Sequence, residues 1–253
     1  MEIEKETEMI EAGEEMEIQL LGDAVQLPDL MIIGSHCVGM DFLLGEMRQL
    51  GYQSRFIPVG SMGGVLAARR GECDLAGTHL MDEASGVYNE HLLTQGVRLF
   101  KGYRRGQGFI FREDDPRFQD FQDSFQERFE EMLSDPELRM INRNRGSGTR
   151  VLIDGLLGKH QPQGFLYEAK SHQAVAAAVA QSRADWGVAI RSVAEDQGLG
   201  FIPLQDEEYD FIIPESRLQK PAVQELIGLL DEKSIIERLE QKGLIRNPGK
   251  DRL

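Results

Sequence analysis

Three times in this chain a short apolar or β-branched run ends near a glycine–serine pair and gives way to a helical pattern. Leu30-Met31-Ile32-Ile33 runs into Gly34-Ser35, Phe56-Ile57-Pro58-Val59 into Gly60-Ser61, and Met140-Ile141-Asn142 into the loop carrying Gly146-Ser147-Gly148-Thr149. Short strands alternating with helices build βαβ units, so a sheet, expected here to be mainly parallel, should pack between helices. The junctions have a chemistry of their own. The first N–H groups of a helix lack partners inside it, glycine admits close approach to the backbone, and the helix dipole favours negative charge. Three such junctions point to a shared cleft for an oxyanion.

The apolar periodicity places strands over 30–34, 55–59, 74–78, 139–143, 165–168 and 186–190. It places helices over 40–50, 62–70, 148–157 and 171–182, with Phe42, Leu43, Met47 and Leu50 on one apolar face of the first. Residues 97–111 are long for one strand and are interrupted by Gly102, Gly106 and Gly108, as a hinge crossing between lobes would be. A helical stretch over 117–133 follows, two apolar pieces within 201–214 carry the chain back, and terminal helices occupy 219–231 and 234–241. The expected fold class is α/β, with two lobes joined by a double crossover around a ligand cleft. An acidic arm takes 1–27, lobe 1 takes 28–104 with 201–253, and lobe 2 takes 105–200.

A net charge of −15 argues against nonspecific binding to nucleic acid or to an anionic membrane, since both need a basic surface. It also repels an anion at long range, so local donors must hold the ligand inside the roughly 8–10 Å over which salt screens. No apolar run reaches the ~20 residues of a membrane helix. No basic segment followed by an apolar stretch opens the sequence, so the expected compartment is the cytoplasm, with Cys37 and Cys73 as reduced thiols.

Enzyme templates fail on spacing. No Gly-x-Gly-x-x-Gly follows a strand, and Gly158-Lys159 lacks the earlier glycine and the hydroxyl residue of a phosphate loop. Neither Ser61 nor Ser147 sits in Gly-x-Ser-x-Gly. The five histidines, 36, 79, 91, 160 and 172, do not cluster as metal ligands. No metal, cofactor or catalytic residue is expected. Among the binding candidates, Ser35 is either a plain helix cap or a ligand donor. Ser61, with Gly60, Gly63 and Gly64 in a first helical turn, reads better as a site where something approaches the backbone closely. The sharpest segment is Arg143-Asn144-Arg145-Gly146-Ser147-Gly148-Thr149-Arg150. His36 beside the first junction, and Thr78 and His79 at the end of the third strand, can line the same cleft. Tyr88, Trp186 and the Ala/Val run 174–180 read as packing residues.

The stretches Gly34-Ser35-His36, 59–80 and 142–150, with 171–190 behind them, resemble in order and spacing the periplasmic-binding-protein-like domain found inside bacterial and archaeal cells. That domain often occurs fused to a molybdenum-cofactor biosynthesis enzyme or a helix-turn-helix regulator. The resemblance spans residues 30–214 and implies a type-2 periplasmic-binding-protein fold that closes on molybdate or tungstate without catalysis. It gives Arg143, Ser147 and Thr149 a ligand role, and makes Ser35 and Ser61 the hydroxyl donors of the first lobe. Cys37 stands where the family usually has an acidic residue, 118–133 is longer than the family pattern, and no recognisable fusion partner accompanies the domain.

The expected function is capture of a small inorganic oxyanion, molybdate or tungstate first. Ser35, Ser61, Ser147, Gly148 and Thr149 donate neutral hydrogen bonds, and Arg143 supplies charge. A regulator or a molybdenum-cofactor enzyme acting in trans is the expected partner. Two competing expectations use the same cleft: an accessory factor or enzyme of molybdenum-cofactor metabolism holding a phosphorylated organic ligand, and an effector domain for a small carboxylate. Ligand size separates them, since a pterin needs an aromatic-lined pocket and no aromatic residue stands beside the three junctions.

Overall fold

The computed structural model describes residues 27–247 apart from 83, 120, 122 and 123. The acidic arm expected over 1–27 lies outside these residues except for Leu27, which is exposed.

The chain opens with β1 (Leu30–Gly34), α1 (Val38–Gln49), β2 (Ser54–Pro58), α2 (Gly60–Arg69) and β3 (Ala76–Thr78). β1 and β2 pair in parallel, and a parallel bridge from Ile32 to Leu75 ties them to the approach to β3. In α1, Met40, Leu43 and Met47 recur at helical spacing and are fully buried against Leu30 and Ile32 of β1. Then comes β4 (Val97–Arg112), a single strand of 16 residues. It is followed by α3 (Phe125–Leu133), β5 (Met140–Arg143), α4 (Gly148–Leu157), β6 (Glu168–Ala169), α5 (His172–Ala180), β7 (Trp186–Ile190) and α6 (Arg191–Asp196). β8 (Leu199–Pro214) is again 16 residues long, and α7 (Pro221–Leu229), α8 (Lys233–Glu240) and β9 (Leu244–Arg246) end the described chain.

β4 and β8 run antiparallel along their whole length, from Val97 opposite Pro214 to Arg112 opposite Leu199. The large sheet has the order β3-β8-β4-β7-β5-β6, with β9 also on β4. The expectation of a mainly parallel sheet is therefore corrected. Parallel pairs survive between β1 and β2 and where β5 meets β6 and β7, while the long central strands and β7 pair antiparallel. Apolar alternation tells where strands lie and not which way their neighbours run.

Of the four apolar clusters among the described residues, two lie at opposite ends of the β4–β8 ladder. One gathers Phe100, Tyr103, Tyr209 and Phe211 with α1, α7 and α8. The other gathers Phe109, Ile202 and Trp186 with α3 and α4. Tyr103, Arg105, Gln107 and Phe109 alternate onto one face of β4, so the residues between the two cores are polar. This is the two-lobed α/β architecture, and its polar waist sits where the cores part.

Three local expectations need correction. The helix over 117–133 shrinks to α3 plus one 3-10 turn at Pro116–Phe118. α6 and β9 were not foreseen. Gly102 and Gly108 flank shifts of the β4–β8 register, and a β-carbon there would collide with the Tyr209 carbonyl and the Phe201 ring respectively. These glycines serve close strand approach rather than hinge freedom.

Candidate functional site

The turns leaving β1, β2, β3 and β5 and the one leading into α5 all open on one side of the sheets, where ligand crevices of α/β folds form. They meet in a cleft of about 470 Å3. Ser35, His36, Ser61 and His79 line it from the turns after β1, β2 and β3, Arg143, Asn144, Ser147, Gly148, Lys170, Ser171 and His172 from the end of β5 and the starts of α4 and α5, and Arg105 from the middle of β4. The lining includes the first residues or caps of α2, α4 and α5 (Gly60, Ser147 and Gly148, Ser171 and His172), and His36 stands just ahead of α1.

Of the residues expected from sequence, Ser35, His36, Ser61, His79, Arg143, Ser147 and Gly148 are thus brought together. Thr149 and Thr78 sit behind the lining. Thr149 Oγ1 lies 3.5 Å from Arg143 Nη1, and Thr78 donates to Asn89 Oδ1 at 3.3 Å. The cap reading of Ser35 does not hold: α1 is capped by Cys37 without a side-chain bond, and the Ser35 hydroxyl meets His79 Nε2 at 2.9 Å. Ser61 Oγ accepts the His79 backbone N–H at 3.2 Å. Ser147 caps α4 by accepting the Arg150 N–H at 3.2 Å, which leaves its hydroxyl proton free for another acceptor. The close approach inferred at Gly64 comes from the protein itself. A β-carbon there would stand 2.6 Å from the Gly34 Cα and 2.7 Å from the Ile33 carbonyl.

Behind the lining lies a buried charge cluster, reaching the cleft through Arg105 and His79, that sequence reading missed. Arg105 and Glu207 are ion-paired and essentially inaccessible, at 2% and 0% exposure. Gln107 Nε2 also donates to Glu207, and His79 Nδ1 lies 3.1 Å from its second oxygen. Burial alone would raise the Glu207 carboxyl, but Arg105 and His79 hold it below the usual carboxylate range. Tyr209 donates to the Ser35 carbonyl, and its ring stacks on His79 at 6.2 Å and on Tyr103 at 5.2 Å. Glu207 uses the Arg105 Nε, while Nη1 and Nη2 of Arg105 are buried without a partner among the described residues.

Arg143 is likewise 6% exposed with its Nε unpartnered. Burial pushes its guanidinium down to about 10, with Arg105 adding to the fall and Glu207 opposing it. His172 is buried with both ring nitrogens unpartnered among the described residues. Burial, then Arg143 and Arg105, hold it well below the ordinary histidine value, so the ring is neutral at neutral pH. The signal for Arg105 and Gln107 was available in the alternation Tyr103, Arg105, Gln107, Phe109, which places polar side chains on a face that is apolar to either side. Nothing in the sequence pairs Arg105 with Glu207 across some hundred residues. Among the described residues no cluster of His, Cys, Asp and Glu is arranged to hold a metal ion, and no helix is long and apolar enough to cross a membrane.

A model of the PBP superfamily domain matches residues 44–231. The uncharacterised protein YvgK of Bacillus subtilis (strain 168) is 29% identical over 225 residues, covering 84% of this chain and 70% of its own. Among solved structures, an ABC-type phosphate transport receptor from Vibrio cholerae superposes with a TM-score of 0.59 at 16% identity, over 86% of this chain and 100% of its own. A putative phosphate ABC transporter substrate-binding protein with bound phosphate from Clostridium perfringens gives 0.65 at 14% identity, over 87% and 99%. At these identities the structural likeness speaks for the fold alone.

Proposed function

The chain belongs to the PBP superfamily, and we propose from that premise and from the cleft that it captures a small inorganic oxyanion, molybdate or tungstate first. The reading rests chiefly on one observation: guanidinium nitrogens of Arg105 and Arg143 are buried and, among the described residues, unpartnered at a cleft whose lining contains no Asp or Glu. Buried donors without acceptors cost free energy, and an oxyanion offers each of them one. Ser61 and Ser147, with the helix N-termini, complete a donor set from both lobes, taken as 28–104 with 201–253 and 105–200. Contacts from both lobes let the ligand favour the closed form.

The absence of a carboxylate from the lining also bears on which anion fits. Hydrogen phosphate keeps a proton that seeks a strong acceptor, while molybdate, tungstate and sulfate are dianions without one. Molybdate and tungstate are the larger of these and reach donors set further apart. A pterin-like phosphorylated ligand is less well served, because no Phe, Tyr or Trp lines the cleft. A thermal-shift series with molybdate, tungstate, sulfate, phosphate and small organic acids, followed by calorimetry, tests the proposal. At a hundred times Kd the stabilisation is ~2.7 kcal/mol, and the largest shifts are expected from molybdate and tungstate. No shift and no heat with either at millimolar concentration rejects that assignment.

A further inference from the structure

Three histidines line the cleft, and their ring nitrogens are committed differently. His36 turns its Nε2 to the Asp41 carboxylate at 2.9 Å. His79 meets the Ser35 hydroxyl with Nε2 at 2.9 Å and the Glu207 carboxylate with Nδ1 at 3.1 Å. His172 uses neither nitrogen: both are buried without a partner among the described residues, in a side chain that nevertheless lines the cleft. Buried polar atoms are nearly always hydrogen-bonded, so two orphan nitrogens on one ring call for a cause.

The position of His172 supplies one. It is the first residue of α5, and the cap Ser171 accepts the Ala174 N–H at 3.1 Å, which fixes the helix entry at the edge of the cleft. The cations acting most strongly on the ring are Arg143 and Arg105, each of which also holds buried, unpartnered guanidinium nitrogen among the described residues. A guanidinium has donors only, so neither arginine can take the N–H of His172. The buried amide oxygens Gln107 Oε1 and Asn144 Oδ1 are themselves without partners and are not bonded to the ring. β4, the end of β5 and the start of α5 thus each bring to one cleft a buried donor that no protein acceptor meets.

We propose that His172 is a ligand-binding residue, its ring N–H donating directly to an oxygen of the anion that Arg105 and Arg143 hold. The proposal rests on the oxyanion reading above and adds to it a residue that the Gly/Ser junctions do not mark. A neutral donor suits this place. A third cation beside two guanidiniums would be repelled, whereas an imidazole kept uncharged by burial first, and then by the arginines, adds a hydrogen bond without that repulsion. A neutral ring carries one N–H and one lone pair, so an anion without a proton selects the tautomer whose N–H faces it.

The test uses the full chain with sodium molybdate and sodium tungstate. In calorimetry His172→Leu should weaken both anions by roughly 3- to 10-fold, the worth of one neutral hydrogen bond. Its stability in urea should equal or exceed the parent's, because no hydrogen bond within the protein is lost. His172→Asn and His172→Gln place an amide N–H near the Nδ1 and Nε2 positions respectively, and one of them should recover most of the affinity. In parent protein carrying 15N-labelled histidine, molybdate should shift the His172 ring signals and hold the ring in one tautomer. If His172→Leu does not fold, these signals decide alone. Parent affinity in a folded His172→Leu, a loss of affinity matched by a loss of folding stability, recovery in neither amide variant, or ring signals unchanged by molybdate overturns the proposal and leaves oxyanion capture standing. Absence of binding by both anions to the parent overturns the oxyanion reading, and this proposal with it.

Discussion

Arg105 and Glu207 stand directly opposite each other in the β4–β8 ladder, fully buried, at the level where the two apolar cores part. Taking two charges out of water costs several kcal/mol each, and their attraction repays this only when hydrogen bonds satisfy the remaining atoms. Glu207 is satisfied by Arg105, Gln107 and His79. Arg105 is not, since two of its nitrogens lack partners among the described residues. The pair therefore does more than hold the ladder together. Glu207 anchors the guanidinium by its Nε, and on the proposed oxyanion reading the outer nitrogens are the ones that would meet the ligand.

Arg105→Met should consequently cost both stability and binding. It leaves Glu207 charged and buried with less compensation, a loss of about 3–5 kcal/mol in denaturant unfolding. The double substitution Arg105→Met with Glu207→Met should be milder than Arg105→Met alone, because it removes the uncompensated charge. A double variant less stable than the single one would show that the pair itself, and not the stranded carboxylate, sets the cost.

The depressed His172 makes stability depend on pH with a definite sign. Below about pH 6.5 the unfolded chain protonates this histidine while the folded chain does not, so stability is full above that value and falls as the pH drops below it. In His172→Gln the fall in melting temperature between about pH 7.5 and about pH 5.5 should be shallower than in the parent. Parallel melting curves for the two proteins would count against a neutral, buried His172.

Much of this was readable in the sequence, and the limit is physical. β1, β5 and β7 and the helices over α1 and α4 follow from apolar periodicity, which burial imposes locally. The Gly/Ser junctions locate the rim of the cleft because free helix N-termini are a local property of the chain. The buried cluster behind the lining is different. Arg105 and Glu207 look like ordinary solvated charges in a strand, and only the antiparallel register of β4 on β8 buries them together. Neutral His172 was missed for a similar reason, since its state depends on burial first and then on arginines contributed by other elements.

Arg143→Ala and Ser147→Ala should weaken anion binding to different degrees. Losing a charge-assisted hydrogen bond costs ~1.5–3 kcal/mol, and losing a neutral one ~1 kcal/mol. Ser147 has a second duty as the cap of α4, so its replacement should also lower folding stability by ~1 kcal/mol. Calorimetry with molybdate and urea unfolding separate the two effects. Equal affinity in parent and both variants would remove this loop from the site.

Gly148→Ala should separate stability from binding most cleanly. Gly148 opens α4, where alanine is a better helix former than glycine by up to ~1 kcal/mol, so propensity alone predicts a more stable protein. Its added β-carbon would stand 3.2 Å from the carbonyl oxygen of His79, the residue after β3. That spacing is tighter than ordinary contact, so α4 and His79 must part by a few tenths of an ångström, and a retreat of α4 is the expected response. The retreat carries Ser147 and the helix N-terminus with it, away from Ser35 and Ser61. The expected result is a melting temperature equal to or above the parent's, together with weaker binding of molybdate and tungstate by calorimetry. Unchanged affinity in a well-folded Gly148→Ala would mean that the anion does not need α4 and His79 in contact, and the ligand donors would then have to be sought on one lobe.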